Sequence, residues 1–554
     1  MGHSIDRRTF AVGIGAATAA AAVGALAGCS SSTRKSEPAG EGNWDKEADF
    51  VVVGSGTGLF GALMAAKEGA TAIVVEKSDR VGGTTALSGN GCWVPNNRHM
   101  KEHGIMELPE EEIVRYIDAC DVYKTGSMIL KENYVSKASR VFDYIEDVLG
   151  FRLDTDYNDP KFEGKPVRGD YYPLPGNIEL GRSLFFLNDK GVPLYTKNYT
   201  ESVIPYAESL GIEMLTGTPA TSLVLDERGS VVGIEASKNK SETLRIKASK
   251  GVLLSAGGFD HNKEMVRQYL RGPVYGSNAV QENTGDAHAM GQVAGAAFGN
   301  MASCWGLPFF KNAVGDEYST AYDWSTWRTK PYSLIVNSKG RRFASESSAY
   351  SIINLAFYSY DSGNCAYLNL PAYFICDSRY VANYGFPGQK TKEGEQPSLP
   401  EYVKMYESIG QIAADLGIDK ESLESEIERF NSFAHAGKDL DWARGEYFHE
   451  SRTNGDLGYK EKGLSNPCLG PVEEPPFYVA EIGPGTCGTN GGLLVNENSQ
   501  VLRADGSAIE GLYAGGNTAA SIFGSGYPGA GGTVGPGIFQ AMMAADHALG
   551  LSKF

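Results

Sequence analysis

Phe50-Val51-Val52-Val53 runs directly into Gly54-Ser55-Gly56-Thr57-Gly58, and Leu59 to Glu68 follows with helical spacing. An apolar strand, a tight glycine turn and a helix in that order commit this stretch to a nucleotide-binding α/β core. Glycines there let the backbone approach a pyrophosphate, and the helix N-terminus presents unpaired N–H groups and the positive end of its dipole. A second strand, Thr71 to Val75, ends in Glu76, twenty residues beyond Gly56. A carboxylate at that place accepts hydrogen bonds from an adenosine ribose. Leu59 occupies the usual third glycine position, so Gly61 is expected to provide the close helix packing.

What lies downstream selects FAD over a nicotinamide dinucleotide. Glu76-Lys77 is followed by a second glycine-rich loop, Val81 to Ala86, whose Gly82, Gly83, Thr84 and Thr85 are placed along a flavin. Val252 to Gly258, with Gly257 in its turn, reads as the strand that closes the first half of the nucleotide domain. Gly511 to Asn517 reads as a strand entering a turn at Gly516 and Asn517. Gly529 to Gly537 then opens a helix over Ile538 to Leu549, whose N-terminus can face the pyrimidine edge of the flavin ring, and Thr533 and Val534 in the stretch before it are expected to bind the cofactor. The expected fold is therefore α/β: a split Rossmann-like FAD-binding domain at residues 45–305 and 480–554, with an inserted α+β catalytic domain at 306–479. No histidine occurs in the loop Gly82 to Gly91, which predicts FAD held without a covalent bond.

A formal charge of −17 on 554 residues speaks against nucleic acid as a partner, since that needs clustered Lys and Arg. The first residues carry an address instead of a fold. Arg7-Arg8-Thr9-Phe10 precedes the apolar run Ala11 to Ala25, the layout of a twin-arginine export signal. It ends in Leu26-Ala27-Gly28-Cys29, a lipobox in which Cys29 becomes the lipidated N-terminus, followed by a linker over residues 30–44. The expected location is the outer face of the cytoplasmic membrane. Seven further cysteines show neither C-x-x-C nor a disulfide framework. His99, Glu102 and His103 form an H-x-x-E-H string, but it has no identifiable acidic third ligand, and no metal site is expected.

With these landmarks placed, the sequence resembles the flavoprotein group of fumarate reductases and succinate dehydrogenases, and within it the 3-ketosteroid Δ1-dehydrogenases. The likeness is carried by Gly82 to Pro95, by Asp170-Tyr171-Tyr172 with Gly181-Arg182-Ser183, by Asn337 to Tyr350, and by Gly524-Ser525-Gly526-Tyr527-Pro528-Gly529-Ala530-Gly531. The resemblance implies that Tyr171, Tyr350, Tyr527 and Gly531 surround ring A of a 3-ketosteroid. Tyr527 hydroxyl and Gly531 N–H are then the donors to the C3 ketone oxygen, Tyr350 the base at C2, and Tyr171 its hydrogen-bonding helper. Two donors aimed at an oxygen that gains charge on enolisation acidify the adjacent C2 hydrogen.

Two rival readings remain at the level of sequence. A fumarate-reductase-like enzyme reducing another unsaturated carbonyl or carboxylate needs arginines and histidines for its substrate, and Tyr350, Tyr527 and Cys487-Gly488-Thr489 stand in their place. An exported solute-binding lipoprotein has no need of the FAD fingerprint. Direction of hydride transfer is not written in these residues. No second nucleotide fingerprint is present, so the expected electron partner is a quinone, a cytochrome or a soluble acceptor.

Replacing Cys29 with Ser should move the protein from the membrane fraction to the soluble fraction on cell fractionation, with its flavin content unchanged. Retention in the membrane at the parental level would place the anchor elsewhere.

Overall fold

A computed structural model describes residues 43–155, 169–238, 242–313, 327–386, 389 and 398–554. The stretch read in sequence as an export and lipidation signal, residues 1–29, lies outside these residues. The frame is an eight-stranded sheet. Its main path runs Gln500–Leu502, Ala508–Ala514, Glu242–Leu254, Lys46–Val53, Ala72–Val75 and Glu213–Leu215. Ala220–Leu225 and Val231–Lys238 branch from the long strand as antiparallel neighbours. Where Lys46–Val53, Ala72–Val75, Glu213–Leu215, Glu242–Leu254 and Ala508–Ala514 pair with one another, they do so in parallel. Val51, Val52 and Val53 of the first strand are buried, as a strand covered on both faces requires. The core is thus the mixed α/β, Rossmann-like architecture expected from the glycine turn.

Leu512 pairs with Val252 and Tyr513 with Leu253, so a strand from the far end of the sequence completes the parallel sheet. Behind it, the helix Leu59–Lys67 packs against the helix Val534–Leu549. A Cβ on Gly61 would lie 2.7 Å from the Ala541 carbonyl oxygen, which is the close packing expected of that glycine. The C-terminal helix begins at Val534, four residues before the expected Ile538. Gly535, Pro536 and Gly537 read as loop in sequence. Proline is nonetheless tolerated in a first helical turn, where its missing N–H costs no intrahelical bond.

Between the two halves of the large sheet the chain builds a five-stranded antiparallel sheet. Its path is Phe309–Phe310, Phe477–Gly483, Ala372–Cys376 and Ser333–Asn337, with Val403–Tyr406 on the free part of Phe477–Gly483. Alternation divides its faces. Leu334, Val336, Ile375 and Val479 meet Ile412, Leu423, Ile427 and Phe430 of the helices Ile409–Leu416 and Lys420–Ala436. Ile335, Phe374, Ala480 and Ile482 meet Phe310, Ile353, Phe357 and Tyr380 on the other side. A small sheet of Cys92–Trp93, Ser183–Phe186 and Leu153–Thr155 lies against the large core. Among the described residues no helix is long and apolar enough to cross a membrane.

The H-x-x-E-H string lies on the short helix Arg98–Glu102 and at its end, where its polar groups are occupied by ion pairs. His99 meets Glu146 at 3.0 Å and Glu102 at 2.9 Å, and His103 meets Asp154 at 2.7 Å. Burial alone would push the His99 pKa down. The hydrogen bond and charge of Glu146, joined by Asp154 and Glu102, outweigh that and hold it above its usual value. A folded-state pKa raised in this way adds stability that is fully present below the unfolded value and is lost as pH rises through the folded one. The difference in melting temperature between the parent and His99→Gln should therefore be widest below about pH 6.5 and shrink as pH rises above it. A difference that does not change with pH would remove the charge on His99 from the account.

Candidate active site

The glycine turn is shaped for a pyrophosphate. A Cβ on Gly54, where φ is +96°, would stand 2.3 Å from the Ser255 carbonyl oxygen, so only glycine lets the two strand ends approach. A Cβ on Gly56 would meet Thr85 Oγ1 at 2.9 Å. Among the described residues the N–H groups of Gly56, Thr57 and Gly58 have no hydrogen-bond partner. Three consecutive free donors at a helix N-terminus are what a dinucleotide phosphate requires. Glu76 accepts from Ser55 N at 3.1 Å, from the Ser55 hydroxyl and from Ser78 N at 2.8 Å, which leaves acceptor capacity for a ribose hydroxyl. The Ser55 hydroxyl in turn accepts from Gly82 N at 2.8 Å, tying the two glycine loops together.

The cavity between these loops has a volume of about 840 Å³. Gly54, Ser55, Gly56, Glu76, Lys77, Gly83, Thr84, Thr85, Gly257, Gly516, Asn517, Thr533 and Val534 all line it, and so do Tyr171, Tyr350, Tyr527 and Gly531. Gly58 and Gly82 do not. A Cβ on Gly58 would press on Ser255 and Val52, and one on Gly82 on Ala86 and the Tyr199 ring, so close packing requires glycine at both, while among the described residues the Gly58 N–H stays free beside those of Gly56 and Thr57. Lys77 faces the cavity but its ammonium is held by Asp286 at 2.8 Å and Thr284 at 2.6 Å. Thr84 accepts from Val280 N at 3.1 Å, and the Asn517 side-chain oxygen accepts from the Trp305 indole at 2.9 Å. At the other end of the cavity the N–H groups of Thr533 and Val534 are free among the described residues, at the start of a sixteen-residue helix. Negative charge on a ring edge is stabilised there.

The three tyrosines converge. Tyr171 donates to the Tyr350 hydroxyl at 3.3 Å. The rings of Tyr171 and Tyr527 stack with centroids 5.4 Å apart, and Tyr350 lies edge-on to both, at 5.4 and 5.6 Å. Thr533 donates to the Tyr527 hydroxyl at 3.3 Å, so that the Tyr527 proton is available to another acceptor. Gly531, at φ +90°, would have a Cβ 2.4 Å from the Gly91 carbonyl carbon, and its N–H has no partner among the described residues. Burial, with the neighbouring Tyr171 and Tyr527 hydroxyls and Cys487, pushes the Tyr350 phenol well above its ordinary pKa. Burial raises Tyr527 as well.

The segments that carry these groups are fastened to one buried carboxylate. Asp170 accepts from the Trp93 indole at 2.8 Å, from Ile178 N at 3.0 Å and from Arg182 at 2.5 Å. Its backbone bridges to Gly529, and Tyr171 N donates to Pro528 O at 2.8 Å. Ser183 donates to Ala530 O at 2.8 Å, and Trp93 N to Gly531 O at 3.1 Å. Tyr350 opens the helix Tyr350–Ala356 after a loop anchored by the buried pairs Arg342–Glu346 (2.7 Å), Arg342–Asp439 (2.8 Å) and Arg444–Glu346 (3.1 Å).

Sequence reasoning missed several neighbours. Trp305 stands edge-on to Tyr527 at 5.0 Å, and His449 lies against Tyr171 at 4.3 Å. Tyr199 donates to Gly56 O at 2.8 Å from a π-helical turn. No local pattern marks these residues, because each reaches the site through tertiary packing alone.

The pattern of the protein family described as FAD binding domain matches residues 49–534. The 3-oxosteroid 1-dehydrogenase of Mycobacterium tuberculosis (strain ATCC 25618 / H37Rv) is 31% identical over 567 residues, covering 91% of this chain and 98% of that one. The 4-oxocyclohexanecarboxylate 2-dehydrogenase of Sinomonas cyclohexanicum is 28% identical and covers 88% of this chain and 90% of that one. Among solved structures, the 3-ketosteroid Δ1-dehydrogenase of Sterolibacterium denitrificans in complex with 1,4-androstadiene-3,17-dione aligns with a TM-score of 0.80 at 27% identity. The alignment covers 92% of this chain and all of that one, at 100%.

Gly56→Val should give a folded protein without the yellow flavin absorption, because the added methyl groups fill the phosphate cradle. A variant that keeps parental flavin content would move the pyrophosphate off this turn.

Proposed function

This chain belongs to the FAD-binding domain family, among the 3-ketosteroid Δ1-dehydrogenases of the fumarate reductase group, and from that membership we propose that it moves a hydride between C1 of a 3-ketosteroid and flavin N5. It is a FAD-dependent oxidoreductase. Bound in the cavity, the flavin supplies the two-electron acceptor or donor. Tyr527 hydroxyl and Gly531 N–H hold the C3 ketone oxygen and stabilise the charge it gains, while Tyr350 moves the proton at C2 and Tyr171 hydrogen-bonds to it.

One observation carries the reading of substrate class. Among the described residues the cations lining the cavity are Lys77 and Arg80, beside Glu76, and the tyrosine end has none. A carboxylate there lacks the charge-assisted donors it needs, whereas a neutral ketone needs only the two hydrogen bonds present. An apolar fused-ring ketone therefore fits better than fumarate or a keto acid. The absence of histidine from the loop Gly82 to Gly91 supports FAD held without a covalent bond. Arg7-Arg8 and the Leu26 to Cys29 string support export and lipid anchoring on the outer face of the cytoplasmic membrane, where a quinone or cytochrome is a fitting electron partner.

A 3-ketosteroid with an artificial dye acceptor should be turned over, and fumarate and succinate ignored. Tyr350→Phe should lower kcat by about 10²–10⁴ with binding nearly intact, and Tyr527→Phe should lower it by about 10²–10³ while weakening binding. Because the Tyr350 phenol is raised, its proton-accepting form is scarce at neutral pH. Dehydrogenation kcat/KM should then climb with pH up to at least about pH 10, while the reverse reduction, which uses the phenol, should hold its rate across that range. Robust fumarate reduction would overturn the assignment.

A further inference from the structure

The segment Gly445 to Asn454 has no place in the chemistry above, yet three consecutive residues in it reach the two stretches that carry the tyrosine pair: His449 touches Tyr171 itself, Phe448 lies against the residue before Asp170, and Glu450 binds the loop ahead of Tyr350. Phe448 packs beneath Gly169, where a Cβ would come within 2.9 Å of its ring, one residue before the Asp170-Tyr171 turn. His449 lies with its ring centroid 4.3 Å from that of Tyr171, and its Nε2 is 3.1 Å from the Asn454 side-chain nitrogen. Glu450 accepts from Ser347 at 2.7 Å and from Ser345 and Ser348 at 3.4 Å, the loop that delivers Tyr350. It also accepts from Gly445 N at 2.7 Å, which closes the segment on itself. All this occurs where the backbone widens into a π-helical turn, His449–Asn454. Such turns are rare and are concentrated at functional sites.

Tyr171 and Tyr350 come from distant parts of the chain, and the 3.3 Å between their hydroxyls is set by whatever joins the two segments. We propose that His449 and Glu450 form a positioning clamp for the Tyr171–Tyr350 proton-transfer pair: the His449 ring fixes Tyr171, and the Glu450 carboxylate fixes the serine loop ahead of Tyr350. His449 and Glu450 touch no reacting atom in this account, and they act through the two tyrosines. The proposal rests on the assignment of Tyr350 as the residue that moves the C2 proton. It assigns the clamp to proton transfer and leaves ketone binding, the task of Tyr527 and Gly531, untouched.

A displacement of about 1 Å in a reacting pair costs on the order of 10²-fold in rate. His449→Ala and Glu450→Gln should therefore lower kcat by about 10- to 100-fold with KM within about twofold, and slow the exchange of C2 hydrogens with solvent deuterium in parallel. Flavin content and melting temperature identify variants that are merely misfolded. His449→Phe, which keeps an aromatic ring against Tyr171, should recover most of the rate and serves as the second variant if His449→Ala folds poorly. The sharper measure is a double-mutant cycle: in a Tyr171→Phe background, His449→Ala should cost little further exchange rate, since its effect passes through the Tyr171 hydroxyl. Full additivity in that cycle, or a rise in KM at parental kcat, would overturn the clamp. Tyr350→Phe separates the two readings. If it retains parental exchange, the assignment of Tyr350 has failed. If it abolishes exchange while His449→Ala and Glu450→Gln leave it intact, only the clamp has failed.

Discussion

The Asp170 carboxylate is the point on which the tyrosine end of the cavity depends. It is buried, and a carboxylate in that position persists only with donors on its oxygens. Trp93, Ile178 and Arg182 supply them. Ile178 and Arg182 close the local stretch that carries Asp170, and Trp93 comes from a separate one, so satisfying one charge both shapes the turn and ties it to a second segment. The Tyr171 ring follows Asp170 directly, and the Gly529 backbone that pairs with Asp170 leads to Gly531. Removing the carboxylate would leave the Arg182 guanidinium buried without its partner, which is more damaging than the loss of any one hydrogen bond. The tolerance for change at residue 170 is consequently far smaller than at most polar positions.

Two kinds of rigidity meet at the cavity. On the nucleotide side it comes from absence: glycines at 54 and 56 leave room that any side chain would take. On the tyrosine side it comes from crowding: Tyr171, Tyr350 and Tyr527 are in mutual ring contact, with Trp305 against Tyr527 and His449 against Tyr171. A wall of edge-on and stacked rings keeps water away from the hydroxyls and raises the Tyr350 phenol. The same burial that makes the pocket suited to an apolar ring system therefore makes proton removal harder. The pair Tyr171–Tyr350 is where those two demands are reconciled.

The glycine turn, the acid after the second strand and the return of the C-terminal strand were legible because each is a local pattern with one geometric meaning. Tyr171, Tyr350 and Tyr527 were legible only through resemblance, since a tyrosine at any of 29 places looks alike in composition. The start of the last helix at Val534 was hidden by Gly535, Pro536 and Gly537, residues that locally signal a loop. His449 and Glu450 were invisible for a different reason. Their contacts join residues 169–171 and 345–348 to a segment about a hundred residues or more away, and no periodicity in either stretch announces the partner. At Gly58 and Gly82 the sequence could not show a second demand on the glycine, that a Cβ there would press on Ser255 and Val52 or on Ala86 and Tyr199.

The parallel sheet is completed by Ala508–Ala514 lying beside Glu242–Leu254, with residues 255–507 emerging from the ribosome between them. During synthesis the first half of the nucleotide site therefore waits with one edge of its sheet open and without the donors of Thr533 and Val534. The cofactor has no finished seat until translation has passed residue 534. Loading is thus a late event that reports on the whole chain, and a polypeptide stalled or cut short in the middle is barred from holding its flavin however well its opening fingerprint has formed.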